Sequence, residues 1–132
     1  MKAIKEHYIK ISPEYGCFPI WTGDGDIYRY NEDIVIENTA IYNRLDEWND
    51  VFQRTLDNSY PPDSRFESAQ QLYNFETEGL AIWELILSNF PNYKVVYESI
   101  VFDKLYENPE SLSNDIENYD FNTSYWLSAK KY

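Results

Sequence analysis

Few kinds of group in this 132-residue sequence could do chemistry. His7 is its one histidine and Cys17 its one cysteine, whereas Asp and Glu together number 23. His7 lies between Glu6 and Tyr8 near the start of the chain, and a lone histidine is more often a surface or packing residue than a general base. Cys17 stands in an apolar run, where a buried, inert thiol is expected, and no Cys/His cluster is present to ligate zinc. Gly23-Asp24-Gly25-Asp26 superficially matches the start of a calcium loop. It lacks the later ligands and the closing bidentate Glu, so it reads as a turn. There is no phosphate-binding glycine loop and no nucleophile elbow. Carboxylate pairs of the kind glycosidases use arise by chance among so many acids. These residues point away from an enzyme, a metal and any cofactor; a residual enzyme hypothesis is testable at His7, Glu14 and Glu78.

Binding chemistry is better represented. From Trp21 to Asp33, acids are interleaved with Trp21, Tyr28 and Tyr30. Rings supply anchors and cation–π contacts, and carboxylates steer encounter and accept arginine, a mixture that suits a basic partner. The competing reading has the rings facing the core and the acids facing water. The net charge is −12, with a pI near 4.3, which repels nucleic acid and anionic membranes and attracts a basic protein, although it also serves solubility. Two segments hold most of that charge. Asp24, Asp26, Glu32, Asp33 and Glu37 stand against Arg29 in residues 22–37, and Glu107, Glu110, Asp115, Glu117 and Asp120 stand without a base in residues 107–120. The candidate partner-binding residues are therefore Trp21, Asp24, Asp26, Tyr28, Tyr30, Asp33 and Glu37, with Glu107, Glu110, Asp115 and Glu117. If the fold brings the two segments together, they form one strongly negative face.

The elements that must position these residues follow from periodicity. Leu72, Phe75, Gly79, Ile82 and Ile86 recur at helical spacing, with Trp83, Leu85 and Leu87 widening the stripe, so a helix is expected over 66–90. Ser64 and Glu67 offer a capping box for it, and Pro91 stops it. Before it, Asn38 is a candidate N-cap for a helix reaching about Leu56, with Ile41, Leu45, Trp48 and Phe52 on one face. The Asp57-to-Pro62 loop, closing in two prolines, separates the two, which predicts an αα-hairpin. Residues 1–37 read as strands and turns: Tyr8 to Ile11, then Cys17 to Trp21, then Ile27 to Tyr30. Pro19 predicts that the second of these is an edge strand or bulges. Tyr93, Val95 and Tyr97 alternate with Lys94, Val96 and Glu98 in a strand expected at the centre of the sheet, with Ile100, Val101 and Phe102 as its continuation. Asn108 and Pro109 suit the N-cap and first position of a short helix carrying Leu112, Ile116 and Tyr119. Tyr125-Trp126-Leu127 is expected to add a small strand or to lie across the core.

The expected architecture is α+β: a small, mainly antiparallel sheet packed against an αα-hairpin, with a short C-terminal helix, in a single domain over 1–132. The polar start, Met1 to Lys10, leads us to expect no secretory leader, no stretch approaches a membrane span, and one cysteine permits no internal disulfide. A cytoplasmic protein without membrane or nucleic-acid partners is expected.

The run Ser12-Pro13-Glu14-Tyr15-Gly16-Cys17-Phe18-Pro19-Ile20-Trp21, the Leu45/Trp48 pair, Phe75-Glu76-Thr77-Glu78-Gly79 and Tyr93-Lys94-Val95-Val96-Tyr97 resemble a group of small bacterial proteins. These share a P-E-Y-G-x-x-P-x-W opening and an F-x-x-E-G helix, and are associated with immunity in toxin delivery systems, including contact-dependent growth inhibition and polymorphic toxins. The likeness covers about residues 8–98, and residues 99–132 depart from the pattern. The resemblance implies a protein that binds a cognate toxin C-terminal domain one to one, in the cytoplasm, and covers its active site or substrate channel; it supplies no catalytic residues. A nuclease-type toxin with a basic surface would suit the acidic charge. The alternative is an acidic nucleic-acid mimic that inhibits a DNA- or RNA-binding protein.

Overall fold

A computed structural model describes residues 7–127; the start from Met1 to Glu6 and residues 128–132, the end of the divergent portion, lie outside the described residues. The chain opens as an antiparallel meander of β1 (Tyr8–Ile11), β2 (Ile20–Gly23) and β3 (Tyr28–Tyr30). Glycine is required at position 23, because a Cβ there would collide with the Ile27 carbonyl oxygen that closes the turn. Gly25 holds φ +106° in the same turn. The expectation that Pro19 makes this run an edge strand or a bulge is corrected. β2 begins at Ile20, one residue beyond the proline, and is an interior strand between β3 and β1. Placed before the ladder, Pro19 needs no N–H, and its carbonyl accepts from the Ser12 amide at 3.0 Å.

A four-residue helix not foreseen in the sequence, α1 (Asp33–Ile36), leads into α2 (Thr39–Gln53). Asn38 caps α2 as expected, its side chain accepting from the Ile41 amide. The helix ends at Gln53 rather than Leu56; the amides of Thr55 and Leu56 instead close tight turns onto the Phe52 and Gln53 carbonyls. α3 (Ala69–Asn89) also starts later than expected. Its N-cap is Ser68, whose Oγ accepts from the Gln71 amide, while Gln71 Oε1 accepts from the Glu67 amide. The capping box is thus Ser68-x-x-Gln71, one turn beyond the Ser64/Glu67 pair. Ser64 is buried in the preceding loop, where it donates to the Pro61 carbonyl and accepts from the Asp57 amide.

β4 (Lys94–Ser99) and β5 (Lys104–Tyr106) form a hairpin, and α4 (Pro109–Glu117) follows with Asn108 as its N-cap. Ile100, Val101 and Phe102 form the hairpin turn rather than extending β4, and Ser99 Oγ accepts from the Phe102 amide. Leu127 makes a parallel bridge to Phe66, so the last described residues lie against the start of α3.

The five strands are ordered β3-β2-β1-β4-β5, every pair antiparallel except β1 with β4. β1, not β4, is therefore the central strand. A parallel pair needs a long crossover, and the α2–α3 hairpin supplies it. Helices cover one sheet face, where Ile9, Ile11, Ile20, Val95 and Tyr97 are buried. Trp48 stacks on Phe75 at 4.6 Å between the helices, and Trp83 stacks on Tyr97 at 5.5 Å between helix and sheet. Both indole N–H groups are buried and donate to backbone, Trp48 to Phe75 and Trp83 to Val95. Trp21 and Trp126 do likewise, to the Ser12 and Ile100 carbonyls. Rings of this size can therefore be enclosed without an orphaned donor.

Candidate partner-binding surface

Side chains alternate along a strand, so each residue paired with Tyr8 or Lys10 points the opposite way from the buried Ile9 and Ile11. Tyr8 pairs with Gly23 and Lys94, and Gly23 pairs with Tyr28; Lys10 pairs with Trp21 and Val96, and Trp21 pairs with Tyr30. Trp21, Tyr28 and Tyr30 thus share the sheet face turned away from the helices. The sequence had left open whether these rings line the core, and register answers that they do not.

The rings are organised in edge-on pairs. Tyr8 meets Tyr28 at 6.4 Å, and Trp21 meets Tyr30 at 6.0 Å. Two ammonium groups lie over the tyrosine rings of the first pair. Lys10 Nζ sits 4.4 Å from the centre of the Tyr28 ring and 3.6 Å from Glu98, and Lys94 Nζ lies 5.9 Å from the Tyr8 ring and 3.3 Å from Glu107. The Tyr8 ring also lies against Gly25, 3.0 Å from where a Cβ would stand.

The acidic candidates divide by position. Asp24 Oδ1 accepts from the amides of Ile27 and Asp26, which hold its carboxyl below the usual range and commit it to shaping the turn. Asp26 is exposed beside Ile27, whose side chain is 70% exposed. Asp33 and Glu37 are exposed at the two ends of α1. Between these, Glu32 is clamped by the hydroxyls of Tyr30 at 2.8 Å and Tyr42 at 2.9 Å, which raises both phenols. Glu110 and Glu117 are exposed on α4. Asp115 is half-buried and engaged, accepting from the Tyr106 hydroxyl at 2.5 Å with Lys104 3.5 Å from it.

The strands leading into the two acidic segments, β3 and β5, occupy opposite sheet edges, four strand spacings or about 19 Å apart. The segments as wholes do not merge. One residue crosses the gap: Glu107 reaches back to Lys94, so that Glu107, Lys94, Tyr8, Tyr28 and the Asp24–Asp26 turn form a continuous row. The Tyr28 hydroxyl is raised first by burial, then by Tyr8, and then by Asp24, Asp26 and Glu107 together. Tyr8, Lys10, Lys94, Ile27 and Glu98 were missed in the sequence. The alternation of Tyr8 and Lys10 with Ile9 and Ile11 was the available signal.

Where β1 and β4 end, Glu98 also lines, with Glu14 and Asp103, a cleft of about 420 Å³, where Ser12 donates to Glu98 at 3.2 Å. No histidine lines it; His7 is exposed at the start of β1. Glu78 pairs with Arg44 through two hydrogen bonds of 2.6 and 3.0 Å. Cys17 is half-buried rather than fully enclosed, correcting the expectation of a buried thiol. Among the described residues, no group of His, Cys, Asp and Glu could hold a metal ion, and no helix is long and apolar enough to cross a membrane.

Glu76, fully buried on α3, is the titratable residue that sequence reading overlooked. It is held by the hydroxyls of Tyr97, at 3.0 Å, and Ser99, and burial pushes its carboxyl up to about 7. It lies in the core, and so serves the fold rather than a partner.

Residues 7–100 match the model of a family described as Serratia CdiI immunity protein-like. No curated protein matches the chain. The match takes in strands β1 to β4 and both long helices, while β5, α4 and the acids from Glu107 onward lie beyond it.

Proposed function

Because the chain belongs to the Serratia CdiI immunity protein-like family, whose role is toxin-neutralising immunity, we propose that it binds its cognate toxin C-terminal domain one to one in the cytoplasm and covers that domain's active site or substrate-binding surface. The family match carries this reading. The toxin is proposed to be a basic, nuclease-type domain, since a surface built to hold phosphates is complementary to a protein of net charge −12. The contacts are assigned to the exposed and partly exposed acids and rings, Trp21, Asp26, Tyr28, Tyr30 and Glu107 on the sheet side, Asp33 and Glu37 at the ends of α1, and Glu110 and Glu117 on α4. Asp24, which caps the β2–β3 turn, and Asp115, which accepts from Tyr106, help to shape these surfaces. The protein acts by occupancy, without catalysis or a cofactor.

The test is coexpression with the C-terminal domain encoded by the adjacent upstream reading frame. Restored growth and a stoichiometric complex on co-purification are expected, with an association rate that falls steeply with salt, because opposite fields drive the encounter and ions screen them. A non-toxic domain that forms no complex would overturn the reading for that pair. Equal association rates at low and high salt would overturn the electrostatic part.

A further inference from the structure

The candidate acids lie on two separate surfaces, and the chemistry of the two differs. On α4, Glu110 and Glu117 stand alone on a helix whose third acid, Asp115, is already engaged by Tyr106 and Lys104. On the sheet, carboxylates flank rings. Asp26 and the exposed Ile27 stand at one end of the row, Glu107 at the other, and Tyr28 and Tyr8 lie between them. Well-packed interfaces have this anatomy, with apolar and aromatic anchors inside a charged rim.

The face also demonstrates what it holds. Lys10 and Lys94 each rest between a tyrosine ring and a carboxylate, Lys10 with Tyr28 and Glu98, Lys94 with Tyr8 and Glu107. Ring and carboxylate together stabilise an ammonium twice over, by cation–π attraction and by charge. With Asp24, Asp26, Glu98 and Glu107 set against these two lysines, the face keeps a net negative charge and is complementary to further cationic groups.

We infer that the sheet face turned away from the helices, from the Asp24–Asp26 turn across Tyr28, Tyr8 and Lys94 to Glu107, is the docking surface for a segment of the toxin rich in lysine and arginine, and that α4 contributes only to the long-range field. This inference rests on the immunity reading and narrows it to one surface.

Two charge-matched variants test it against the purified toxin domain named above. Asp26→Arg/Glu107→Arg and Glu110→Arg/Glu117→Arg change net charge equally, so any difference between them reports local contact. The first is expected to weaken the complex by about tenfold or more and to lose growth rescue, and the second to weaken it by less than about threefold. Ile27→Ser, which leaves charge unchanged and removes an exposed side chain, should weaken binding while circular dichroism and the thermal midpoint stay at wild-type values. Equal effects of the two charge reversals, or a silent Ile27→Ser, would overturn the docking surface while leaving the immunity reading intact. A wild-type protein that neither binds nor rescues would overturn both.

Discussion

A Cβ on Gly79 would collide with the Tyr97 hydroxyl and stand 2.9 Å from Trp48 Cζ2, so α2, α3 and β4 converge where only glycine leaves room. Tyr97 cannot swing aside, because its ring is stacked on Trp83 and its hydroxyl donates to Glu76. Gly79→Ala is therefore expected to destabilise the protein by about 1–3 kcal/mol from overpacking, against the roughly 1 kcal/mol that alanine normally contributes within a helix. Urea denaturation measures the difference. A variant as stable as the wild type, or more so, would show that the junction relaxes freely.

Glu76 makes stability depend on pH with a defined sign. Its folded carboxyl titrates near 7 and its unfolded one near 4.5, so the folded state favours the protonated form. The stability associated with this group is fully present below about pH 4.5 and is lost as pH rises through about 7. At 1.36 kcal/mol per pH unit, the loss is about 3 kcal/mol. The neighbouring Tyr97 and Tyr106 hydroxyls are themselves pushed up by burial and do not titrate in this window. Glu76→Gln keeps a donor and an acceptor for Tyr97 and Ser99 without the titration. Its urea midpoint should change little between pH 5 and pH 8, and it should exceed that of the wild type at pH 8. Parallel pH profiles for the two proteins would contradict this assignment.

The start of α3 separates two serines. Ser68→Ala removes the N-cap acceptor and should cost about 1 kcal/mol, whereas Glu67→Ala should be near neutral, because only the Glu67 amide takes part in the cap. Thermal or urea melts of the two variants decide it. A larger loss from Glu67→Ala would place the box where the sequence first suggested.

His7, Glu14 and Glu78 are the residues on which a small enzyme would depend. His7 is exposed, and Glu78 is a partly exposed partner of Arg44. His7→Ala, Glu14→Gln and Glu78→Gln should each leave toxin neutralisation unchanged. Glu78→Gln should cost no more than about 1 kcal/mol, since its ion pair is screened by solvent. Loss of protection in a variant that still binds the toxin domain would point to chemistry rather than occupancy.

Local order was legible where a few neighbouring residues set it. Asn38 and Asn108 cap their helices because a side-chain oxygen needs only the amide three residues on, and the Ile41-Leu45-Trp48-Phe52 stripe needs only the helical period. The two serine-led boxes near α3 were equivalent by spacing, and the loop that engages Ser64 through Asp57 and Pro61 chose between them. β5 escaped notice because three residues carry too little pattern, and Tyr106 is buried by α4 and β4 rather than by its own alternation.

By itself, the sequence determined helices α2, α3 and α4, the strand-forming runs of β1 to β4, the acidic charge and, through its family motifs, the membership now seen over residues 7–100. Tertiary structure alone decided that β1 is central and parallel to β4, that Glu76 is enclosed, and that Glu107 reaches Lys94 on the sheet face that carries Tyr8 and Tyr28. The reason is the range of the forces involved. Periodicity and capping act over three or four residues, whereas strand order, the burial of a carboxyl and the gathering of charge on one face arise from contacts between residues far apart in the chain, such as Lys10 and Glu98.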